Sequence, residues 1–213
     1  MHLVVLNVAY PFAPVGPDAI GGAEEIVGRL DAALVRAGHE SIVMACEGSI
    51  TEGILLATQK PSDTLDEAAR RRIHEQYRFT LQTFLKKWPI DLIHMHGVDF
   101  YEYLPPPGIP VLVTLHFPVH WYPDNVFRLK RPQTYLDCVA RGQHGNCPPG
   151  AKLLPEIGSA VAWDEEAQTT AEHFSGPRLI ERYLAVYERL VANARAAAAS
   201  VSSRMTELSA FVE

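Results

Sequence analysis

Apolar residues in this chain fall into two alternating patterns. Residues 2–8, "HLVVLNV", are apolar on both faces, as in a parallel strand covered by helices. Residues 9–20 hold three prolines and one glycine, which excludes regular structure there. From Ala23, "AEEIVGRLDAALVRAGHE" sets Ile26, Val27, Leu30, Ala33 and Leu34 along one side of a helix, with Gly38 as its stop. "SIVMAC", residues 41–46, returns to the strand pattern. Strand, loop, helix, strand is the beginning of a doubly wound sheet.

The same order then repeats. Residues 47–60 read as a loop with a short strand around "GILLAT", and residues 63–88 carry a helical pattern with Ile73, Tyr77, Leu81, Phe84 and Leu85 as its inner stripe. Pro89 ends that helix. "DLIHMHG" reads as a short strand whose C-terminal edge bears His94 and His96, and residues 110–115 as the next, leading to His116. Strand ends of this kind carry the sites of doubly wound sheets. Residues 120–149 read as irregular, aromatic and basic, with "TYLDCVA" as one last short strand. Leu179, Ile180, Tyr183, Leu184, Tyr187, Leu190 and Val191 recur at helical spacing within 177–199. The expected fold is therefore α/β: a single Rossmann-like, doubly wound, mostly parallel sheet with helices on both faces. The expected organisation is a domain over 1–155, a linker over 156–176, a helix over 177–199 that packs back on the domain, and a frayed tail over 200–213.

Composition narrows the function classes. At 213 residues, the chain can bury one sizeable core but falls short of two nucleotide-binding domains of ordinary size. Its 47% hydrophobic and 21% charged residues are those of an ordinary globular domain, and a net charge of -6 argues against a nucleic-acid partner. No apolar run reaches the roughly 18 residues that a membrane span needs. Three cysteines leave one unpaired under any intramolecular scheme, and the opening residues lack a basic leader, so a reducing cytoplasm is expected.

Several groups could carry chemistry. Gly21 and Gly22 stand before a helix whose first amides are unpaired, a place for a phosphate or a sugar hydroxyl, although Glu24 and Glu25 in the first turn oppose an anion there. The glycines do not form a dinucleotide fingerprint, and a simple flexible turn is the competing reading. His94 and His96 share a side of their strand and could offer two metal ligands, but no third ligand is placed with them, and Asp99 reads as a loop residue. His116, before Phe117 and Pro118, could exchange a proton near neutral pH or be a satisfied structural histidine. Cys138, His144 and Cys147 match no usual zinc spacing, so neither a metal nor a cofactor is expected. Arg128, Lys130, Arg131 and Arg141 flank Trp121 and Tyr122, which suits phosphate or carbohydrate contact or simply a solvated basic loop.

Taken in order, "PFAP…GGAEEIVGRLDAALVRAGHE", "DLIHMHG" and "VLVTLHFP" resemble the N-terminal half of the family 4 retaining glycosyltransferases, which have the GT-B fold. The resemblance covers about residues 1–155. It implies transfer of a sugar from a nucleoside diphosphate sugar, the co-substrate, to a hydroxyl-bearing acceptor. It also implies a catalytic position for His116, a glycine pair near phosphate and acceptor, and an acceptor cleft lined by His94 and His96. Trp121 and Glu24 join the expected binding set.

The chain departs from the family after "CVARGQ", which resembles the family's crossing strand. The Arg/Lys pair and late glutamate-rich motif of a donor-binding domain do not follow, and "AEHFSGPRLIERYLAVYERL" resembles the family's closing helices. The expectation is an isolated chain without transfer activity. Its expected partners are a sugar or other hydroxyl acceptor and either a separate donor-domain subunit or a second copy meeting an apolar face at Phe117, Trp121 and Tyr122. A non-catalytic carbohydrate-binding or accessory interaction module is the alternative.

Overall fold

Six strands form one sheet in the order β3-β2-β1-β4-β5-β6 in a computed structural model that describes residues 1–19, 21–60, 65–154 and 177–210. They are β1 (Val4–Val8), β2 (Glu40–Cys46), β3 (Ile54–Thr58), β4 (Leu92–Met95), β5 (Val111–Leu115) and β6 (Thr134–Cys138). Every pairing is parallel, where the sequence predicted a mostly parallel sheet. The strand order reverses between β1 and β4, so the crevice beyond their C-terminal ends is the topological position for a ligand.

Helices α1 (Gly22–Arg36), α2 (Glu67–Leu85), α3 (Arg141–Asn146) and α4 (Pro177–Ala210) complete the fold. The stop of α1 is a Schellman motif. Gly38 takes φ +78°, its N–H bonds to Val35 O at 3.0 Å, and the N–H of His39 reaches Leu34 O at 2.9 Å. The Asp66 side chain starts α2 by accepting from the Ala69 N–H at 2.6 Å. On one face of the sheet, Tyr77 and Leu81 of α2 pack over Leu6, Val8, Met44, Ile93 and Val113. On the other, Ile26, Leu30 and Leu34 of α1 join Tyr183, Val186, Tyr187 and Leu190 of α4 over Leu3, Val5, Leu92 and Leu112. Helix α4 runs past Ala199, where the sequence predicted fraying, and is helical through Ala210, in keeping with the propensity of its alanine-rich end. The predicted linker, 156–176, lies outside the described residues. Among the described residues, no helix is long and apolar enough to cross a membrane.

β2 and β3 are joined without a helix. Residues 47–53 run back along the sheet, a much shorter route than the dozen or so residues that parallel strands ordinarily need. Buried Asp31 of α1 holds this crossing by accepting from the backbone N–H groups of Glu52, at 2.6 Å, and Gly53, at 3.2 Å. A side chain at Gly53 would strike the Ser41 carbonyl and the Asp31 carboxylate, which is why glycine stands there.

Arg131 is not part of a phosphate-contacting surface, the use its basic neighbourhood suggested. Its guanidinium is buried and donates to the carbonyls of Pro105, Pro106 and Ile109, each at 2.8 Å, and to Thr134 Oγ1 at 3.0 Å. This joins the loop before β5 to the start of β6. Burial brings its pKa down to about 10. Arg131→Met is expected to lower folding stability by about 2–3 kcal/mol in urea titration, because it orphans several buried acceptors at once.

Candidate functional site

Strand alternation sends His94, Thr114 and Asp137 to the sheet face covered by α4. His94 is fully buried, with Nδ1 2.6 Å from the Tyr187 hydroxyl and Nε2 2.7 Å from Thr114 Oγ1. The Tyr183 hydroxyl lies 3.2 Å from Thr114 Oγ1 and donates to Asp137 Oδ2 at 2.9 Å. Tyr183 has one hydroxyl hydrogen, so Thr114 must donate to Tyr183 for that contact to be a hydrogen bond. His94 then donates from Nε2 to Thr114 and accepts from Tyr187 at Nδ1. With both nitrogens used, His94 fastens α4 to the sheet, whereas the family resemblance implied a place in the acceptor cleft.

His96 and His116 form a second pair. His96 is also buried, and its Nδ1 lies 3.1 Å from His116 Nε2, with the rings stacked at 5.4 Å. His116 is half-buried, one residue past β5. Because His96 occupies Nε2, ring chemistry toward a ligand falls to His116 Nδ1. Burial lowers the His116 pKa to about 4, so it is a neutral imidazole at pH 7, able to exchange hydrogen bonds with a hydroxyl.

Beyond His116, Phe117 and Trp121 stack at 5.1 Å, and Trp121 is 58% exposed. Tyr122 is buried instead, its hydroxyl oxygen accepting from the Phe117 N–H at 3.3 Å. The apolar face expected at Phe117, Trp121 and Tyr122 thus narrows to Trp121 on Phe117. A cleft of about 740 Å³ opens beside it, lined by Pro118, His120, Tyr122, Asp124, Phe127 and Gln143 among others.

At the start of α1, Gly21 is the N-cap in extended conformation, and no side chain caps the helix from that position. The Glu24 carboxylate turns back over Gly21, so closely that a Cβ there would collide with it, while a Cβ at Gly22 would meet nothing. Glu24 is buried, which raises its pKa, while a bond from its own N–H pulls the other way. A carboxylate already occupies the positive end of the helix, so this corner suits a hydroxyl donor better than a phosphate.

Comparison with known proteins decides the family. Residues 20–144, more than half of the chain, match the Glycosyltransferase Family 4 domain. The chain belongs to this family. No curated protein matches it. Among solved structures, the crystal structure of AviGT4, a glycosyltransferase involved in Avilamycin A biosynthesis, matches 72% of this chain and 41% of its own, with 20% identity and a TM-score of 0.46. The family 4 chain thus spans about two fifths of that relative's length.

The family 4 fold also gathers residues that the sequence did not bring together. Asp99, expected to be a loop residue, is buried; His74 Nε2 lies 2.6 Å from its Oδ2, and the Tyr103 hydroxyl donates to its Oδ1 at 2.9 Å. Phe12 packs edge-on to His74, and Arg70 lies 5.2 Å above the Phe12 ring. The one available signal was His74 standing next to Ile73 of the inner stripe of α2.

These burials set an acid response for the family 4 domain. Desolvation first, then neighbouring imidazoles, hold His94 and His96 well below 6.5, and desolvation lowers His116 to about 4. The folded state therefore binds fewer protons than the unfolded chain. Stability is full above about pH 6.5 and falls on acidification, for His116 down to about pH 4, by about 1.4 kcal/mol per pH unit and per imidazole. Glu24 works in the opposite sense but is one group against these three imidazoles and His39, whose pKa burial also lowers. Urea midpoints should fall steeply between about pH 7 and about pH 5, and a flat profile would contradict the buried neutral assignment.

Proposed function

We propose that this chain forms the acceptor-side half of a retaining glycosyltransferase that moves a sugar from a nucleoside diphosphate sugar to a hydroxyl-bearing acceptor. The observation that carries the reading is His116, a neutral, half-buried imidazole at the C-terminal end of β5 whose Nε2 is held by His96. Its Nδ1 hydrogen-bonds a hydroxyl at the reaction centre, and the exposed Trp121 face packs against a sugar ring. Glu24 accepts from a sugar hydroxyl beside Gly21 and Gly22. His96 acts through His116, and His94 through the anchoring of α4. Arg131 is committed to carbonyls and takes no part in holding the diphosphate; as the family resemblance implies, the diphosphate is bound by a second α/β lobe, in the same polypeptide or a separate subunit. Closure of the two lobes excludes water from the transfer. The free thiols of Cys46, Cys138 and Cys147 support a cytoplasmic location.

Ligand-observed magnetic resonance with a panel of saccharides and polyols tests the acceptor half. Binding that Trp121→Ala weakens is expected, and no binding by any member would sink this part. Incubation of the chain alone with nucleotide sugars and those acceptors is expected to give no turnover, whereas ordinary enzymatic turnover would remove the need for a second lobe. With that lobe present, an inverted anomeric product would refute retention.

A further inference from the structure

The loop that carries His116 is held from a distant element. Gln143, in the short helix α3 after β6, donates its side-chain amide to two carbonyls, Leu115 O at 2.8 Å and Phe117 O at 2.6 Å. These are the carbonyls on either side of His116. The other end of the same amide is also used, since Gln143 Oε1 accepts from the Val139 N–H at 2.9 Å. One side chain thus bridges the exit of β5 to the exit of β6, with its amide nitrogen donating twice and its oxygen accepting once. Two carbonyls that point at one amide nitrogen fix two peptide planes, and the dihedrals of His116 lie between those planes.

We propose that Gln143 is a positioning residue for His116: its carboxamide sets the backbone of residues 115–117 so that the His116 ring meets His96 through Nε2 and keeps Nδ1 for a ligand. This rests on the reading of His116 given above. The chemistry is specific to a carboxamide. A carboxylate of the same shape would keep the bond from Val139 but would place an oxygen against two carbonyl oxygens, and a thioether would lose all three bonds. Gln143 also lines the 740 Å³ cleft, together with Pro118 and Val119 of the loop that follows His116. The role is separate from packing because α3 has few residues and its Gly142, Gly145 and Asn146 are exposed.

The test is side-chain 15N magnetic resonance of the histidines in this chain, with Gln143→Glu and Gln143→Met compared with His144→Gln on the same helix. In the wild type, the Gln143 amide protons should exchange slowly, and the ring signals of His116 and His96 should report one fixed hydrogen-bonded pair. Both Gln143 variants should lose that pair signature and raise the His116 titration midpoint by about one unit or more toward the ordinary 6.5, as the ring gains water. His144→Gln should leave both unchanged. A His116 signature and midpoint unaltered in a folded Gln143 variant would overturn the proposal, whatever the loss in melting temperature. Should both variants fail to fold, rapid exchange of the wild-type Gln143 amide would still overturn it, and slow exchange would support it. If His116 proves dispensable for transfer while Gln143 still governs its ring, the catalytic reading of His116 fails and the clamp stands.

Discussion

Tyr187→Ala is expected to reduce folding stability by about 3–5 kcal/mol, the usual cost of truncating a large buried aromatic side chain. Tyr187 has no exposed surface and packs among Leu3, Leu92, Leu112 and the α1 leucines, so the cavity would open between sheet and helix. The loss has a second part. The Tyr187 hydroxyl donates to His94 Nδ1 at 2.6 Å, and without it a buried imidazole acceptor has no partner. Tyr187→Phe isolates this part and should cost about 1–3 kcal/mol. Urea denaturation of the two variants, with α4 followed by amide exchange, separates the contributions. If Phe and Ala behaved alike, the hydroxyl would be the main source of the stability; if Phe were neutral, the Tyr187–His94 hydrogen bond would contribute nothing to the fold.

That helix shows where the sequence was readable and where it was not. Strands β1, β2, β4 and β5 stood out as apolar runs because parallel strands buried on both faces cannot hide among polar residues, whereas the edge strands β3, exposed at Ile54 and Ala57, and β6, which carries Thr134 and Asp137, gave weaker patterns. The apolar stripes of α1, α2 and α4 were equally plain, since amphipathic periodicity is a local property. Polar partners were not. His94 and Tyr187 lie 93 positions apart, and strand alternation can say that His94 and His96 share a face but not that α4 covers His94, with Tyr187 engaging its Nδ1 while Thr114 of β5 engages its Nε2. Arg131 was read as one of a basic group because its acceptors are backbone carbonyls, which carry no sequence signature. The same limit hid what holds the helix-free crossing between β2 and β3, since its organiser, Asp31, looked like an ordinary polar position on α1. At the candidate site, the sequence located the strand ends and glycines through the topology of the sheet. The pairing of His74 with Asp99 and the return of Glu24 onto Gly21 depend on packing between loops, which no short-range pattern encodes.

In the two-lobed enzyme proposed above, His116→Ala is expected to lower kcat by about 10²–10⁴-fold, the range associated with loss of a positioned acid–base or hydrogen-bonding group. Its effect on folding should be smaller than that of Tyr187→Ala. His116 is half-buried at a strand end, and its removal leaves one partner nitrogen, His96 Nδ1, without its contact, a cost of about 1–2 kcal/mol. The acid response provides an independent check. Because His116 is neutral when folded and protonates more readily when unfolded, its removal should reduce the fall in stability below about pH 6.5 by about 1.4 kcal/mol per pH unit. Melting and transfer rates measured on the same variant therefore separate two roles. A large loss of rate with a shallower acid profile assigns His116 to the reaction centre. Unchanged transfer by the folded fraction, accompanied by a stability loss as large as that of Tyr187→Ala, would make it a structural histidine, and the hydroxyl at the reaction centre would then need another partner, for which Asp99, four residues past the end of β4 with His74 bound to it, is a candidate.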